Sequence, residues 1–271
     1  MIRRLFIPFF ALTLSPLSLP AAEPLTLEKD DTLVLIGTGL ASRMNHFGHF
    51  ETELFLRYPE LNLTIRNMGD EGNTPGFRPH SGRNAEEQYA FPGAKELVRK
   101  DFQVNSKPEG FFETPDEWLT RLEADTILAF FGANSAFDGK YELPRFKKEL
   151  DAFLKHTLSM KYNGESAPKV ALVSPTAFQD LSGQLDLPDG KLENENFKLY
   201  TAAMREVAAD NNVVFIDLIE KTTPWAENGD DFTVDGLQLS DAGYQKLAPV
   251  LADAAFGEKA VDQSKRADVH D

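Results

Sequence analysis

The stretch Asp31 to Leu40, DTLVLIGTGL, decides the fold. Four consecutive apolar residues, Leu33 to Ile36, run into Gly37-Thr38-Gly39, and a helical pattern follows. An apolar run this short, closed by glycines, is how a buried parallel strand ends at the carboxyl edge of an α/β sheet, and ligands of such sheets bind at that edge. The loop Gly37 to Ser42 is therefore expected to form the floor of a site.

Working outward, the same grammar recurs. Leu61 to Asn67 reads as a strand running into Gly69-Asp70-Glu71-Gly72-Asn73-Thr74, and Asp125 to Phe131 as one running into Gly132-Ala133-Asn134-Ser135. Lys169 to Val173 and Val213 to Leu218 supply two more strands. Helical patterns alternate with them: Arg43 to Tyr58, Leu143 to Met160 with Phe146, Leu150, Phe153, Leu154 and Leu158 on one face, and Glu193 to Ala209. Thr114-Pro115-Asp116-Glu117 has the residues of a capping box and opens a short helix to about Glu123, and Ser240-Asp241 caps a last helix to about Ala255. The alternation predicts an α/β fold, a three-layer α/β/α sandwich with a mainly parallel five-stranded sheet. Only Pro75 to Thr114 breaks the pattern, with a helix expected at Ala85 to Lys100. A loop-rich excursion this long covers a site or binds something more often than it merely connects.

The chain has 271 residues, 42% of them hydrophobic, enough for one sizeable core, so residues 23–257 are expected to form a single domain followed by a flexible polar tail, 258–271. Residues 1–22 read as a signal peptide: Arg3 and Arg4, an apolar run, then Ala21-Ala22 at the cleavage site. The rival reading, a membrane anchor, is weakened by Pro8, Pro16 and Pro20 in a run already short for a bilayer. A periplasmic or secreted location is the expectation, with no membrane insertion after cleavage. The absence of cysteine excludes disulfides, a thiolate nucleophile and a lipidated N-terminal Cys. The formal charge is −15, and removal of Arg3 and Arg4 with the leader takes it to −17, which argues against nucleic acid or an anionic membrane as partner. The oligomeric state is left open.

Four loops now stand together: Gly37-Thr38-Gly39-Leu40, Asn67-x-Gly69-x-x-Gly72-Asn73-Thr74, Gly132-x-Asn134, and Asp235-Gly236-Leu237-Gln238-Leu239-Ser240-x-x-Gly243-Tyr244. In that order they resemble the four sequence blocks of the SGNH, or GDSL, hydrolases, from about Thr32 to Ala255. The resemblance implies an ester hydrolase, acting on a small-molecule ester or an acetylated carbohydrate, with no cofactor and no metal. It places Gly39 where the family has its nucleophilic serine, and Gly72 where a backbone N–H faces the oxyanion. Asn134 matches the side chain that completes that hole, and Asp235 with Gln238 stands where the family has Asp-x-x-His. The first block also resembles that of a secreted bacterial branch, Gly-Asn-Gly-Leu followed by Ala-Glu-Arg-Met, in which the serine is likewise absent.

These departures are chemically severe. Glycine has no side chain to attack a carbonyl, and a glutamine amide is not a base near neutral pH. The expectation is a retained ester pocket with weak or absent ordinary esterase activity. The alternatives are a non-catalytic polysaccharide-binding or scaffold module, and a hydrolase with a relocated nucleophile or a metal-held water.

Each candidate has a plainer reading. Gly39 and Gly72 could serve only as turn residues, Asn134 as a turn cap and Asp235 as loop chemistry. Ser42 and Ser135 are substitute nucleophiles or ordinary helix-end residues; for Ser42, capping the following helix is the favoured role. His46-x-x-His49-x-Glu51 has metal-ligand residue types without an evident third ligand, and His80 is a candidate base only in the irregular excursion. Arg43, Arg66, Arg78 and Arg83 could hold a carboxylate or sulfate, though an ion pair with one of the 43 acidic residues is the commoner fate. Trp118 and Trp225 suit sugar stacking or, more commonly, packing.

Overall fold

A computed structural model describes residues 23–78, 88–103, 113–266 and 269. Five strands, β1 (Thr32–Gly37), β2 (Thr64–Asn67), β3 (Thr126–Phe130), β4 (Lys169–Val173) and β5 (Val214–Ile216), form one sheet in the order β2-β1-β3-β4-β5. Every pairing is parallel. Leu33 lies between Ile65 and Thr126, and Gly37 pairs with Phe130.

The strands are apolar on both faces because both faces are covered. Val34, Ile36, Ile127, Ala129, Val170 and Leu172 join one core, with residues of α3 (Pro115–Arg121), α5 (Leu143–Ser159) and α6 (Lys191–Asp210). Leu33, Leu35, Leu128, Phe130, Ala171 and Val173 join the other, with α2 (His49–Arg57) and α8 (Asp241–Phe256). This is the three-layer α/β/α sandwich. Leu150 and Leu154 of α5 are fully buried, each contributing about 1.5–3 kcal/mol by burial.

The strand order reverses between β1 and β3, since the chain goes from β1 outward to β2 and returns across β1 to β3. Ligands of open α/β sheets bind outside the carboxyl ends at that reversal. Two short helices begin there, α1 (Gly39–Ser42) after β1 and α4 (Ala133–Ala136) after β3. Thr114 and Glu117 make the expected capping box on α3, and the Ser240 side chain accepts from the Gly243 N–H to cap α8.

Two expected elements differ, and one helix is additional. The helix over Arg43 to Tyr58 is broken into a 3-10 turn (Arg43–His46) and α2, because Gly48 between them has φ +63°, a left-handed conformation. In the excursion, residues 85–87 of the expected helix lie outside the described residues, and 88–100 do not form it. Tyr89 pairs with Phe77 in an antiparallel bridge, Pro92 follows, and only 3-10 turns form at Ala94–Glu96 and Lys100–Phe102. Its Phe77, Tyr89, Phe91 and Val98 pack into the α5 side of the core. The third difference is a helix with no counterpart in the reading, α7 (Leu218–Glu227), capped by the Asp217 carboxylate and carrying Pro224 inside it. After α8, Arg266 donates to Glu53 at 2.9 Å.

Residues 1–22, His80 and Arg83 lie outside the described residues. Among the described residues, no helix is long and apolar enough to cross a membrane.

Candidate functional site

The carboxyl edge is drawn together by hydrogen bonds between loops. Gly37 is indispensable to that closeness: at φ +121° it presses on β3 so tightly that a Cβ would sit 2.0 Å from the Phe130 carbonyl oxygen. The Thr38 N–H then donates to that carbonyl at 3.1 Å, and the Asp70 N–H to the Gly37 carbonyl at 2.9 Å. Asn67 fastens the second loop to α1, its Nδ2 donating to the Ala41 carbonyl at 2.6 Å and its Oδ1 accepting from the Gly69 N–H at 2.8 Å. Tyr244 of α8 donates to the Leu40 carbonyl at 3.0 Å.

These ties enclose a cavity of about 220 Å³. Leu40, Phe130, Phe131, Ala133, Pro175, Leu237 and Leu239 make most of its wall apolar, and its polar lining is Thr38, Arg43, Glu71, Asn134, Ser174, Thr176, Gln238 and Tyr244. Mostly apolar walls with a few convergent polar groups are the usual make-up of a small-molecule site.

Gly39 borders this cavity at the first residue of α1. Its φ is not positive, so the turn role belongs to Gly37 instead. A Cβ at Gly39 would meet only the Glu71 Cγ, at 3.6 Å, an ordinary van der Waals contact. Space for a side chain therefore exists where none is present. Gln238 borders the same cavity, held by the antiparallel bridge between Thr233 and Leu239. Asn134 borders it too, but its Nδ2 donates to the Glu71 carbonyl and, at 3.3 Å, to the Asn73 carbonyl. In this arrangement the amide secures the second loop.

The other two expected site residues stand back from the cavity. Gly72 is exposed and does not border it, and its neighbour Glu71 does. The Asp235 Oδ1 accepts from the N–H groups of Leu237 at 3.0 Å and Gln238 at 2.6 Å. That carboxylate shapes the loop presenting Gln238, an Asx-type turn.

Neither Ser42 nor Ser135 borders the cavity. Ser42 ends α1 and makes no side-chain cap bond to the next turn, contrary to its expected capping role. Ser174 does border the cavity, but its hydroxyl is committed, donating to the Pro175 carbonyl at 3.0 Å and accepting from the Leu218 N–H at 2.8 Å. His49 hydrogen-bonds Asp241 at 2.7 Å and His46 is exposed; among the described residues no group of three or more metal-ligating side chains comes together. Trp225 packs edge-on against Phe232 in the core, and Trp118 is half-buried on α3.

The arginines separate. Arg78 is buried over the Phe131 ring, at 5.3 Å from its centroid, and donates to the Thr74 and Phe77 carbonyls. Burial pulls its pKa down to about 10, against the opposing attraction of Glu149. Arg66 is exposed and donates to the Ile65 carbonyl. Arg43 borders the cavity. Burial pushes the Tyr244 hydroxyl beside it well above the ordinary phenol range, although Arg43 acts in the opposite sense. The wall formed by Ser174, Pro175 and Thr176 was missed in the sequence reading, although it follows β4 as the other loops follow their strands.

Among curated protein sequences none matches this chain. Its fold is shared with solved structures of low sequence identity. A protein described as a GDSL-like lipase from Parabacteroides merdae aligns over 86% of this chain and 99% of its own, at 15% identity and TM-score 0.59. A catalytic mutant, serine to alanine, of the acetylxylan esterase Axe2 from Geobacillus stearothermophilus aligns over 86% and 98%, at 15% identity and TM-score 0.54. The acetyl xylan esterase AlAXEase aligns over 83% and 100%, at 16% identity and TM-score 0.54. The sequence model of the GDSL-like lipase/acylhydrolase family matches residues 73–246, a range that includes Asn134, Asp235 and Gln238 and begins after Gly39. That match spans more than half of the sequence, and the chain belongs to the GDSL-like lipase/acylhydrolase family.

Proposed function

We propose that the cavity receives an acylated small molecule, an acetylated carbohydrate by analogy with the acetylxylan esterases that share the fold, and that the chain has little or no ordinary serine-esterase turnover. The observation that carries the reading is the pairing of Gly39 and Gln238 on one small cavity, with space at Gly39 for a side chain. A nucleophile and a base are both replaced while the enclosure around them persists. Loss of a whole triad costs roughly a millionfold in turnover in another hydrolase, and the remaining binding groups still give about a thousandfold over water. We propose also that the chain acts outside the cytoplasm after removal of residues 1–22, which N-terminal sequencing of the exported protein would test.

The test of the activity is restoration. Gly39→Ser combined with Gln238→His is expected to hydrolyse a small activated acetyl ester faster than the parent chain, because the new Cβ at 39 meets no backbone. A folded double variant with no gain would remove the ester-pocket reading. Substantial turnover by the parent chain itself would instead assign it a different nucleophile.

A further inference from the structure

Among the described arginines, Arg43 is a half-buried one that forms no ion pair with a carboxylate. Arg57, Arg99, Arg121, Arg145, Arg205 and Arg266 each form an ion pair with a carboxylate, and buried Arg78 lies in the field of Glu149. Arg66 also has none, but it is exposed, where water compensates its charge. Arg43 is half-buried and borders the cavity. Its Nε is sealed from solvent with no hydrogen-bond acceptor among the described residues. Its side-chain partner is the Tyr244 hydroxyl, a neutral group.

The rest of the lining forms no ion pair with Arg43. Gln238 is a neutral amide, and the Asp235 carboxylate is turned to the N–H groups of its own loop. Glu71 is the acidic residue of the lining; it is exposed and its charge acts on the Tyr244 hydroxyl, but it forms no ion pair with Arg43. A guanidinium N–H sealed from water without an acceptor is unfavourable, and an oxyanion delivered to this guanidinium by a ligand supplies charge-assisted hydrogen bonds.

We infer that Arg43 makes this cavity an oxyanion-recognition site, so that its ligand is a small molecule carrying a carboxylate or a sulfate ester, held by the guanidinium with Gln238 as neutral neighbour. The inference rests on the reading of this cavity as the ligand site, and adds to it the charge of the ligand. An acidic sugar satisfies both.

The test is NMR titration of the purified chain with glucuronate, glucose 6-sulfate and glucose. Saturable shifts of Gly39, Gln238 and the Arg43 Nε–H are expected with one or both anionic probes and not with glucose. Arg43→Gln is expected to weaken that binding by roughly tenfold or more, the loss of a hydrogen bond to a charged group. Equal response to glucose, no saturable response to either anion, or unchanged affinity in Arg43→Gln would each overturn the inference. Should that variant fail to fold, the Arg43 Nε–H signal of the parent chain decides, and a signal unmoved by either anion overturns it. Gain of esterase activity in Gly39→Ser/Gln238→His without anion binding would remove this inference alone. Anion binding without that gain would keep it and remove the ester reading.

Discussion

Arg78 is buried and Arg43 half-buried, and their surroundings differ in completeness. Around Arg78 the polar groups are knit to one another. Glu149 accepts from Thr74 Oγ1, from the Gly76 N–H at 2.8 Å and from Arg145 at 2.7 Å, while Arg78 itself lies against Phe131 and donates to two carbonyls. Arg43 has the Tyr244 hydroxyl as its side-chain partner and borders a cavity that Gln238 and Glu71 also line. A closed network rigidifies a loop, here residues 74–78 against α5; an open one is left for something that arrives. The contrast separates scaffold from site within one edge of the sheet.

The sharpest way to break this contrast is Glu149→Ala. Removing one member of a closed buried network leaves a cation and two other donors short of their acceptor, and should cost about 3–5 kcal/mol in urea unfolding. Asn134→Ala comes next. It frees the Glu71 and Asn73 carbonyls and should cost about 1–2 kcal/mol, with altered amide shifts in residues 70–74 by NMR. Tyr200→Phe probes the closed side through pH. Tyr200 donates to the Gly139 carbonyl at 2.9 Å, so its loss should cost about 1 kcal/mol at neutral pH. Burial raises the Tyr200 hydroxyl from its ordinary 10.0 to about 12. Its contribution is therefore intact below pH 10 and lost as pH rises from there through about 12. The variant should show a flatter alkaline limb in a thermal-melt series; an unchanged limb would detach Tyr200 from that behaviour. The smallest effect is expected from Arg43→Gln in the absence of ligand, within about 0.5 kcal/mol of the parent chain. A loss as large as that of Glu149→Ala would erase the distinction between the two regions.

Much of the fold was legible because burial on both faces writes itself as short apolar runs: Leu33 to Ile36 and Lys169 to Val173 are readable without neighbours. What failed was governed by single residues or by tertiary pairing. Gly48 interrupts a helix whose apolar spacing continues through it. Tyr89 is drawn into a bridge with Phe77, a partner that the residues around Tyr89 do not announce. Helix α7 hides behind Pro224.

The site was legible to the extent that it follows strand ends. That rule located the loops of Gly39 and Asn134, the resemblance picked out the two residues within them, and applying the rule to β4 would have found Ser174 to Thr176 as well. Gln238 came from the resemblance of its loop. Gly72 and Asp235 lie in loops that reach the cavity without bordering it themselves, and which residue of a loop faces inward is fixed by hydrogen bonds such as those of Asp235, which spacing does not encode. Arg43 was noticed and assigned the statistically commoner ion pair. An unmade contact cannot be read from composition, because it depends on where all the acidic residues finally lie.

The ordinary backbone at Gly39, with its empty space facing Glu71, has an evolutionary consequence. Serine is reached from glycine, and histidine from glutamine, by a few base changes, and at Gly39 the added Cβ meets no backbone. On the proposed reading, restoring a nucleophile can begin at this position without rebuilding the loop that carries it. A mutant library selected for growth on an acetylated sugar would explore that return route directly.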